Sequence, residues 1–438
     1  MEKDTTHLMK RAERFKTILT AEGFLVGAVA GLVVLLYRVI LEYAGKGMNK
    51  VLEYARQEPF AAVLWFVALF VIACIVGKLV KYEPMISGSG IPQVEGEMMG
   101  KLNQVWQRVL PAKFLGGFLS LFAGLSLGRE GPSIQIGAMT GKAVSQTLDR
   151  GKTEEKYLIT CGASAGLAAA FHAPLAGVMF SLEEIHKNFS VSVLISVMTA
   201  SITADYISSQ FMGFQPVFQF DVGTEMPPQY YWHIVILGVI LGIMGAFYNK
   251  MTMWVQGLYL KSKKLNETTR LFIPFFLAGV LGLVMPQILG SGHALIDMAA
   301  EGNLMLTSLL ILFAAKFLFS LICFGSGAPG GIFFPLLILG ALIGAVFAMA
   351  GVEFFGLAPV YVNNFVLLGM TGFFTAIVRA PLTGIILLFE MSGSISQMLS
   401  LSIVSVTAYI VATLMRSEPI YDSLLKRILK ADTIVHDK

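Results

Sequence analysis

The sequence predicts an all-α polytopic membrane protein made of two inverted-topology repeats whose helices are broken within the membrane. The first observation is composition: 55% of the 438 residues are hydrophobic and only 14% are charged, whereas soluble domains carry about 25% charged residues. The second is an internal repeat, and the third is a set of glycine-rich and proline-rich breaks inside apolar runs. The composition excludes a soluble globular enzyme, a disordered chain and a nucleic-acid binder.

Long apolar runs supply the membrane-spanning elements. A span needs about 20 apolar residues, and five runs are long enough, at 24–44, 60–80, 157–182, 232–255 and 365–389. Shorter runs flank the sequences GREGP at 128–132 and GSGAPGG at 325–331. A broken helix survives at membrane depth only where it is buried or lines a cavity, and such helices usually form an ion or substrate site. The alternative is a pair of kinked structural helices.

The chain repeats itself at offsets of 202 to 207 residues. Four islands recur in one order: GSG at 88–90 and 290–292, AKFL at 112–115 and 315–318, GREGP at 128–132 over GIFFP at 331–335, and APL at 173–175 and 380–382. We therefore predict five segments: an N-terminal cytoplasmic amphipathic segment (1–20), a first membrane repeat (21–215), a linker (216–231), a second membrane repeat (232–415) and a C-terminal cytoplasmic end (416–438).

Basic residues lie near both ends of the apolar region. Lys10 and Arg11 precede the first apolar run, and Lys426 and Arg427 follow the last. Basic flanks favour the cytoplasmic side of a membrane, so we expect both termini inside and an even number of crossings. If each half crosses an odd number of times, the repeat is inverted.

Three glycine-rich breaks are predicted to open helices. Proline near a helix start leaves free N–H groups around it, and glycine lets another group approach the backbone closely. The first helical turns then present unpaired N–H donors and the positive end of the helix dipole, which favour an anion. We expect a small anion to be held weakly near mid-membrane. The breaks consist of Gly88, Ser89, Gly90, Ile91 and Pro92; Gly128, Arg129, Glu130, Gly131 and Pro132; and Gly331, Ile332, Phe333, Phe334 and Pro335.

Glu130 is a carboxylate inside one of these helix starts, and its repeat counterpart is the apolar Phe333. A carboxylate at mid-membrane costs at least about 2.5–3.5 kcal/mol unless it is paired. The N–H groups that would hold an anion can also stabilise Glu130. It is therefore predicted to compete with the anion when deprotonated and to be displaced when protonated, which makes it both a gate and a proton carrier. The alternative is a capping carboxylate paired with Arg129.

Two further carboxylates, Glu183 and Glu184, end a long apolar run. Glu183 has a carboxylate counterpart in Glu390, which indicates a shared architectural role. Glu184 has Met391 as its counterpart, so its charge belongs to one half alone. Glu184 is a candidate second proton station that links Glu130 to the cytoplasm, with a solvated helix end near His186 and Lys187 as the alternative.

The motifs GSGIP, GREGP and GIFFP, in this order, resemble the CLC family of chloride channels and chloride/proton antiporters. The resemblance implies a homodimer with one pathway per subunit. It implies that the hydroxyls of Ser89 and Tyr421 and the backbone N–H groups of Ile332 and Phe333 bind chloride. Glu130 resembles the family's external gating glutamate, and Glu184 its internal proton-transfer glutamate.

The presence of Glu184 favours a chloride/proton antiporter in a membrane lipid environment. The alternatives are a passive chloride channel of the same fold and a fluoride/proton antiporter. We expect neither an enzyme nor a cofactor or metal site, because no His-Glu-x-x-His spacing or Walker-type loop occurs. The chain ends 17 residues after Tyr421, without the cytoplasmic regulatory domains of eukaryotic members, which indicates a prokaryotic plasma-membrane form. Gln93 and His172 depart from the family pattern, where glutamate and asparagine are common.

Overall fold

The computed structural model is helical throughout the residues it describes. It describes the backbone of residues 2–187, 189–218, 222, 226–262, 265–302 and 304–436, and the side chains in these ranges except 2–15, 192 and 431–436. Seventeen α-helices lie in these ranges: α1 Glu2–Gln57, α2 Pro59–Tyr82, α3 Ile91–Met98, α4 Trp106–Phe122, α5 Glu130–Thr147, α6 Lys152–Phe171, α7 Pro174–Phe180, α8 Val191–Met212, α9 Tyr231–Lys261, α10 Thr269–Val284, α11 His293–Ala300, α12 Leu306–Gly325, α13 Phe333–Phe355, α14 Val362–Val378, α15 Pro381–Ser392, α16 Met398–Leu414 and α17 Ile420–His436.

The helices form a buried centre and a lipid-facing periphery. Within the described residues, seven helical segments are long and apolar enough to cross a membrane. Those containing α13 and α14 are mostly buried inside the protein, whereas α2 is mostly exposed. Phe60 and Phe70 on α2 are exposed large apolar side chains, which suits a surface that contacts lipid rather than water.

The two halves correspond helix by helix. Helices α1 to α8 of the first half match α9 to α16 of the second in order, and α17 follows the second half without a counterpart. The repeat-equivalent residues Gly128 and Gly331 pair as an antiparallel bridge, with N–H to O distances of 2.6 and 2.7 Å. A pair of equivalent residues that bond each other reciprocally lies on a local two-fold axis. This is the relation that an inverted repeat requires.

Helix packing in both halves depends on backbone-to-backbone approach. A Cβ added to Gly340 on α13 would lie 2.5 Å from the carbonyl oxygen of Gly369 on α14. The equivalent pair in the first half, Gly137 on α5 and Gly162 on α6, is equally close. Small residues let membrane helices approach in this way, because packing rather than water exclusion drives their association.

Two runs that the sequence suggested as continuous spans are each two helices. The run at 157–182 is broken between α6 and α7, and the run at 365–389 between α14 and α15. The residues that end α6 and α14, His172 and Arg379, have φ values of 56° and 73°. In both, proline two residues later opens the next helix, since it lacks an N–H and cannot continue a helix through its own position.

The carboxylates Glu183 and Glu390 hold these two breaks together across the halves. The Glu390 carboxylate accepts hydrogen bonds from the N–H groups of Leu175 and Ala176, at 3.0 and 2.8 Å, at the start of α7. The Glu183 carboxylate accepts them from Leu382 and Thr383, at 3.3 and 2.9 Å, at the start of α15. Each carboxylate therefore caps the helix of the other half, in agreement with the architectural role that the repeat predicted for Glu183.

The segment boundaries proposed from sequence stay predictions. Helix α1 runs from Glu2 through Gln57, so the backbone has no break near residue 20. The side chains of residues 2–15, on which the amphipathic segment partly depends, lie outside the described residues, as do six residues of the 216–231 linker.

Candidate anion and proton site

The three glycine-rich motifs open helices, as the sequence predicted. Helix α3 begins at Ile91, α5 at Glu130 and α13 at Phe333. The starts of α5 and α13 meet at the Gly128–Gly331 bridge, and a Cβ on Gly331 would lie 3.0 Å from the backbone nitrogen of Gly131. The first turns of two helices thus approach each other closely, because Gly131 and Gly331 have no side chains. This concentrates N–H donors and two positive helix ends at one place.

Glu130 is completely buried at this junction. A Cβ on Gly128 would contact the Glu130 carboxylate and lie 3.2 Å from the backbone nitrogen of Phe334. The carboxylate therefore lies beside the first turn of α13. Its distance to the Arg129 guanidinium, 3.8 Å between Oε1 and Nε, is too long for a hydrogen bond. Neither oxygen has a hydrogen-bond partner among the described residues, so the carboxylate lies beside the helix start and within ion-pair range of Arg129 without a hydrogen bond to either.

The repeat counterpart of Glu130 has an apolar environment. The Phe333 ring is fully buried, and its centroid lies 5.2 Å from that of Phe171, 5.8 Å from Phe180 and 4.6 Å from Phe374. One helix start therefore carries an ionisable group, and the other carries a packed ring beside its N–H groups.

The hydroxyls of Ser89 and Tyr421 approach the same junction. A Cβ on Gly131 would lie 2.5 Å from Ser89 Oγ, which places Ser89 against the first turn of α5. The Tyr421 ring packs edge-on against Phe180, 6.4 Å between centroids, and Phe180 packs against Phe333. Both hydroxyls are buried and have no hydrogen-bond partner in the part of the chain that is described. Buried hydroxyls normally have a partner, so these two are suited to coordinate an ion.

Two cavities approach the junction, and each is lined by residues of both halves. A cavity of about 440 Å³ is lined by Ser89, Arg270 and Arg427 together with the loop before α3. A cavity of about 520 Å³ is lined by Arg129 and His293 together with the loop before α11. The two loops are repeat equivalents, at 84–92 and 286–294. Ser89 lines one cavity and Arg129 the other, so each cavity reaches one of the glycine-rich motifs.

Buried lysines hold the two loops in place. Lys113 Nζ donates to the carbonyl oxygens of Ile86 and Gly88, at 2.9 and 2.7 Å. Its repeat copy Lys316 donates in the same way to Ile288 and Gly290, at 2.8 and 3.0 Å. The loop that carries Ser89 is therefore fixed by a bond pattern that the other half repeats.

The two departures from the family pattern have partners in the structure. Gln93 is buried and donates through Nε2 to the carbonyl oxygen of Ser87, 2.8 Å away, so it braces the loop of its own motif. His172 Nδ1 lies 2.8 Å from Asp205 Oδ1 and 2.9 Å from Ser209 Oγ. It therefore joins the end of α6 to α8.

Glu184 lies apart from the helix-start junction. Helix α7 continues into a π-helical turn, Ser181–His186, which carries Glu184 with only 5% of its surface exposed. Single π-turns occur often at functional sites. Carboxylate oxygens of Glu95 and Asp422 lie within 4.8 Å of one of Glu184. Among the described residues no hydrogen bond joins Glu184 to Glu130. Tyr421 lies within the range of electrostatic interaction with both carboxylates.

Sequence reasoning missed Glu95 and Asp422 in the cluster around Glu184, and it placed Lys187 only at a solvated helix end. Glu95 is fully buried on α3, and Lys187 Nζ donates to Glu95 Oε1 and Asp422 Oδ1 at 2.6 and 2.7 Å. The available signal was the position of Glu95 just after GSGIP and of Asp422 beside Tyr421. Nothing in the spacing of the three residues brings them together, because they come from three distant elements.

Comparison with protein families identifies the source of this arrangement. Residues 68–413 match the model of the voltage gated chloride channel family. The chain belongs to the CLC family. This membership, with the seven helical spans, confirms the predicted all-α multi-span fold and places the chain among membrane transport proteins rather than enzymes.

Other CLC proteins are similar to this chain over nearly its whole length. The H+/Cl− exchange transporter ClcA of Vibrio parahaemolyticus serotype O3:K6 is 35% identical over 421 residues, which cover 94% of this chain and 90% of that protein. The crystal structure of a slow cyanobacterial Cl−/H+ antiporter matches with a TM-score of 0.89 and 31% identity, over 94% of this chain and 98% of the other. A CLC-type fluoride/proton antiporter has a TM-score of 0.76 at 21% identity, over 92% and 97% of the two chains, which shows the shared fold alone.

The Lys113 bonds lead to a test of what fixes Ser89. In Lys113→Met two buried carbonyl groups lose their donor, which costs about 1–3 kcal/mol for each group. We expect a lower melting temperature and about tenfold weaker chloride binding, equal to about 1.4 kcal/mol, measured by calorimetric titration of the purified protein.

Lys316→Met is the matched control, because it removes the same bonds from the loop that lacks Ser89. It should lower the melting temperature by a similar amount and leave chloride affinity near that of the parent. Equal loss of affinity in the two variants would contradict the positioning role of Lys113.

Proposed function

We propose that this CLC protein is a secondary active antiporter that exchanges chloride for protons. One observation carries the proposal: the Glu130 carboxylate lies beside the N–H groups that begin α13, where an anion would also be stabilised. A carboxylate and chloride cannot both occupy such a place, because like charges repel strongly in a buried site. Chloride binding and the charge state of Glu130 are therefore coupled. The exchange activity named for the similar ClcA and cyanobacterial proteins supports this function.

The proposed chloride site uses four groups around the helix starts. The hydroxyls of Ser89 and Tyr421 donate to the ion, and the backbone N–H groups of Ile332 and Phe333 face it from the start of α13. None of these groups carries a full positive charge. Binding that depends on dipoles and hydroxyl donors stays weak enough for the ion to leave, as conduction requires. Ser89 lines the cavity that also contains Arg270 and Arg427, and Tyr421 is on the same helix as Arg427, so we assign both hydroxyls to the inner barrier.

Glu130 is proposed to act as the outer gate. When it is ionised, its carboxylate is stabilised by the helix starts and blocks the anion path. Chloride that arrives from the inner site displaces the carboxylate, which then takes a proton on the outer side because a buried unpaired charge is costly. Phe333, the repeat counterpart of Glu130, has no ionisable group and cannot take a proton. Protons are therefore carried at the start of α5 alone.

Glu184 is proposed to supply protons from the cytoplasmic side. It is buried, its Oε1 atom has no hydrogen-bond partner among the described residues, and its repeat counterpart is Met391. Glu184 and Glu130 are both within electrostatic reach of Tyr421. Protons and chloride would thus follow separate paths on the inner side and share the path at Glu130.

The pathway residues all belong to one chain, so each subunit can hold a complete pathway. We propose a homodimer with two independent pathways, in a bacterial plasma membrane with both termini in the cytoplasm. The basic residues at the two ends support this orientation. Mass measurement in detergent should give two polypeptides per particle, and a monomer that still transports at the full rate would contradict the dimer.

The first test is proton movement driven by a chloride gradient in proteoliposomes with valinomycin present. The parent protein should move protons uphill, and Glu130→Gln should keep chloride flux and lose proton flux, since glutamine neither ionises nor carries a proton. Normal proton pumping by Glu130→Gln would overturn the gate assignment. Chloride flux without proton flux in the parent would favour the channel alternative, and fluoride is the next ion to test if chloride does not move.

Glu184→Gln tests the second proton station. The variant should retain chloride flux and lose at least about 90% of proton flux, because a proton transfer group is missing while the chloride site is intact. Both fluxes are measured in the same vesicles, with a chloride electrode and a pH electrode.

Glu183→Gln is the matched control on the neighbouring residue. It weakens the cap of α15, so it should lower the melting temperature while the ratio of chloride to proton flux stays that of the parent. A variant at Glu184 with an unchanged flux ratio would exclude it as a proton station.

A further inference from the structure

The carboxylates around Glu184 carry more negative charge than Lys187, the cation bonded to them in the described part of the chain, can balance. Glu95 comes from α3, Glu184 from the π-turn and Asp422 from α17, and one oxygen of each lies within 4.8 Å of the others. Lys187 is the cation that bonds to members of this group. Three ionised carboxylates with one ammonium leave two uncompensated negative charges in a largely buried place. Repulsion of this kind keeps at least one carboxyl protonated near neutral pH.

Lys187 does not treat the three carboxylates alike. Its ammonium group donates to Glu95 at 2.6 Å and to Asp422 at 2.7 Å. No hydrogen bond from Lys187 to Glu184 is present among the described residues, and Glu184 Oε1 is buried without a partner. Charge-assisted bonds favour the ionised form of the acceptor. The bonds therefore lower the pKa of Asp422 and oppose the rise in the pKa of Glu95 that burial causes. Glu184, which has no bond to the ammonium group, is the member that most readily takes the proton.

The backbone conformation at Lys187 directs its side chain towards Glu95 and Asp422. The residue follows the π-turn directly and has a φ of 52°, a left-handed conformation that non-glycine residues seldom adopt. The side chain is 35% exposed, so it lies at the boundary between the cluster and solvent. By its two bonds it also connects the π-turn to α3 and to α17, the helix that carries Tyr421.

The other titratable groups near the turn face elsewhere or act more weakly. Glu183, the neighbour of Glu184, caps α15. His186 points to α6, with Nδ1 3.1 Å from Thr160 Oγ1 and its ring 5.8 Å from Tyr157, and Lys156 is the charge near it. On α17, Tyr421 and Asp422 both lie near Glu184.

We propose that Lys187 is a positioning residue for proton transfer: its bonds favour the ionised forms of Glu95 and Asp422, so that Glu184 is the carboxyl of this cluster that exchanges its proton with the cytoplasm. This inference rests on the proposed exchange function. It assigns the proton affinity of Glu184 to a lysine that comes three residues later in the chain and to an aspartate on α17.

The test is the pH profile of proton flux in proteoliposomes, measured at equal pH on both sides from pH 5 to 9. Loss of the ammonium charge raises the pKa of Glu184. Lys187→Met should therefore move the alkaline limb of the profile to higher pH, by about one pH unit. Asp422→Asn removes a negative charge and should move the alkaline limb to lower pH. The double variant should lie near the parent, and Lys187→Arg should retain the parent profile.

Lys426→Met is the matched control. Lys426 also lies on α17 and bonds to a carboxylate, Glu418 at 2.8 Å, but both side chains are more than half exposed. It removes the same charge from a residue that acts on Asp422 without a bond to it, so it should move the profile much less than Lys187→Met does.

The outcomes distinguish a failure of the role proposed for Lys187 from a failure of the proposed exchange function. A parent that exchanges chloride for protons, with the profile of Lys187→Met unchanged or Asp422→Asn shifted upwards, would overturn the role of Lys187 alone. Absence of proton flux in the parent would overturn both. If Lys187→Met does not fold, the downward shift of Asp422→Asn still supports the inference and its absence still contradicts it.

Discussion

The reciprocal backbone pairing of Gly128 with Gly331 is the contact on which the rest of the architecture depends. It joins the two halves at their local two-fold axis, with N–H to O distances of 2.6 and 2.7 Å. It can form only because neither residue has a side chain and because Gly131 lets the other strand of backbone approach. The pairing sets the starts of α5 and α13 against each other, and so determines where the helix dipoles converge in a medium that offers no water to replace them.

Symmetry builds the scaffold, and departures from symmetry provide the chemistry. The lysines Lys113 and Lys316 and the capping carboxylates Glu183 and Glu390 make equivalent bonds in the two halves. Three of the residues proposed to move ions lack equivalents of the same chemistry. The repeat counterpart of Glu130 is Phe333, and that of Glu184 is Met391. Tyr421 lies on α17, which has no counterpart among the described helices. An anion path needs two similar helix starts, whereas coupling to protons needs an ionisable group at only one.

Buried charge in this protein is balanced locally. Lys142 bonds to Glu97, and Lys187 bonds to Glu95 and Asp422. Lys113 and Lys316 instead donate to backbone carbonyls. Charges inside a membrane protein are expensive unless they are bonded in this way. Against this background, Glu130 and Glu184 are distinguished by their weak pairing, which suits groups that must gain and lose a proton.

The sequence by itself determined the membrane class, the two halves, the helix starts and the candidate residues within them, because composition, repeats and glycine-proline breaks are local features. Membership of the CLC family confirmed that fold. The sequence failed at the breaks after His172 and Arg379, where hydrophobicity continues although the helix does not. Only the tertiary structure decided which distant groups meet: the caps exchanged between Glu183 and Glu390, and the cluster of Glu95, Glu184, Lys187 and Asp422. Their contacts cross about 90 to 240 positions of sequence, and they depend on how helices pack, which no local pattern encodes.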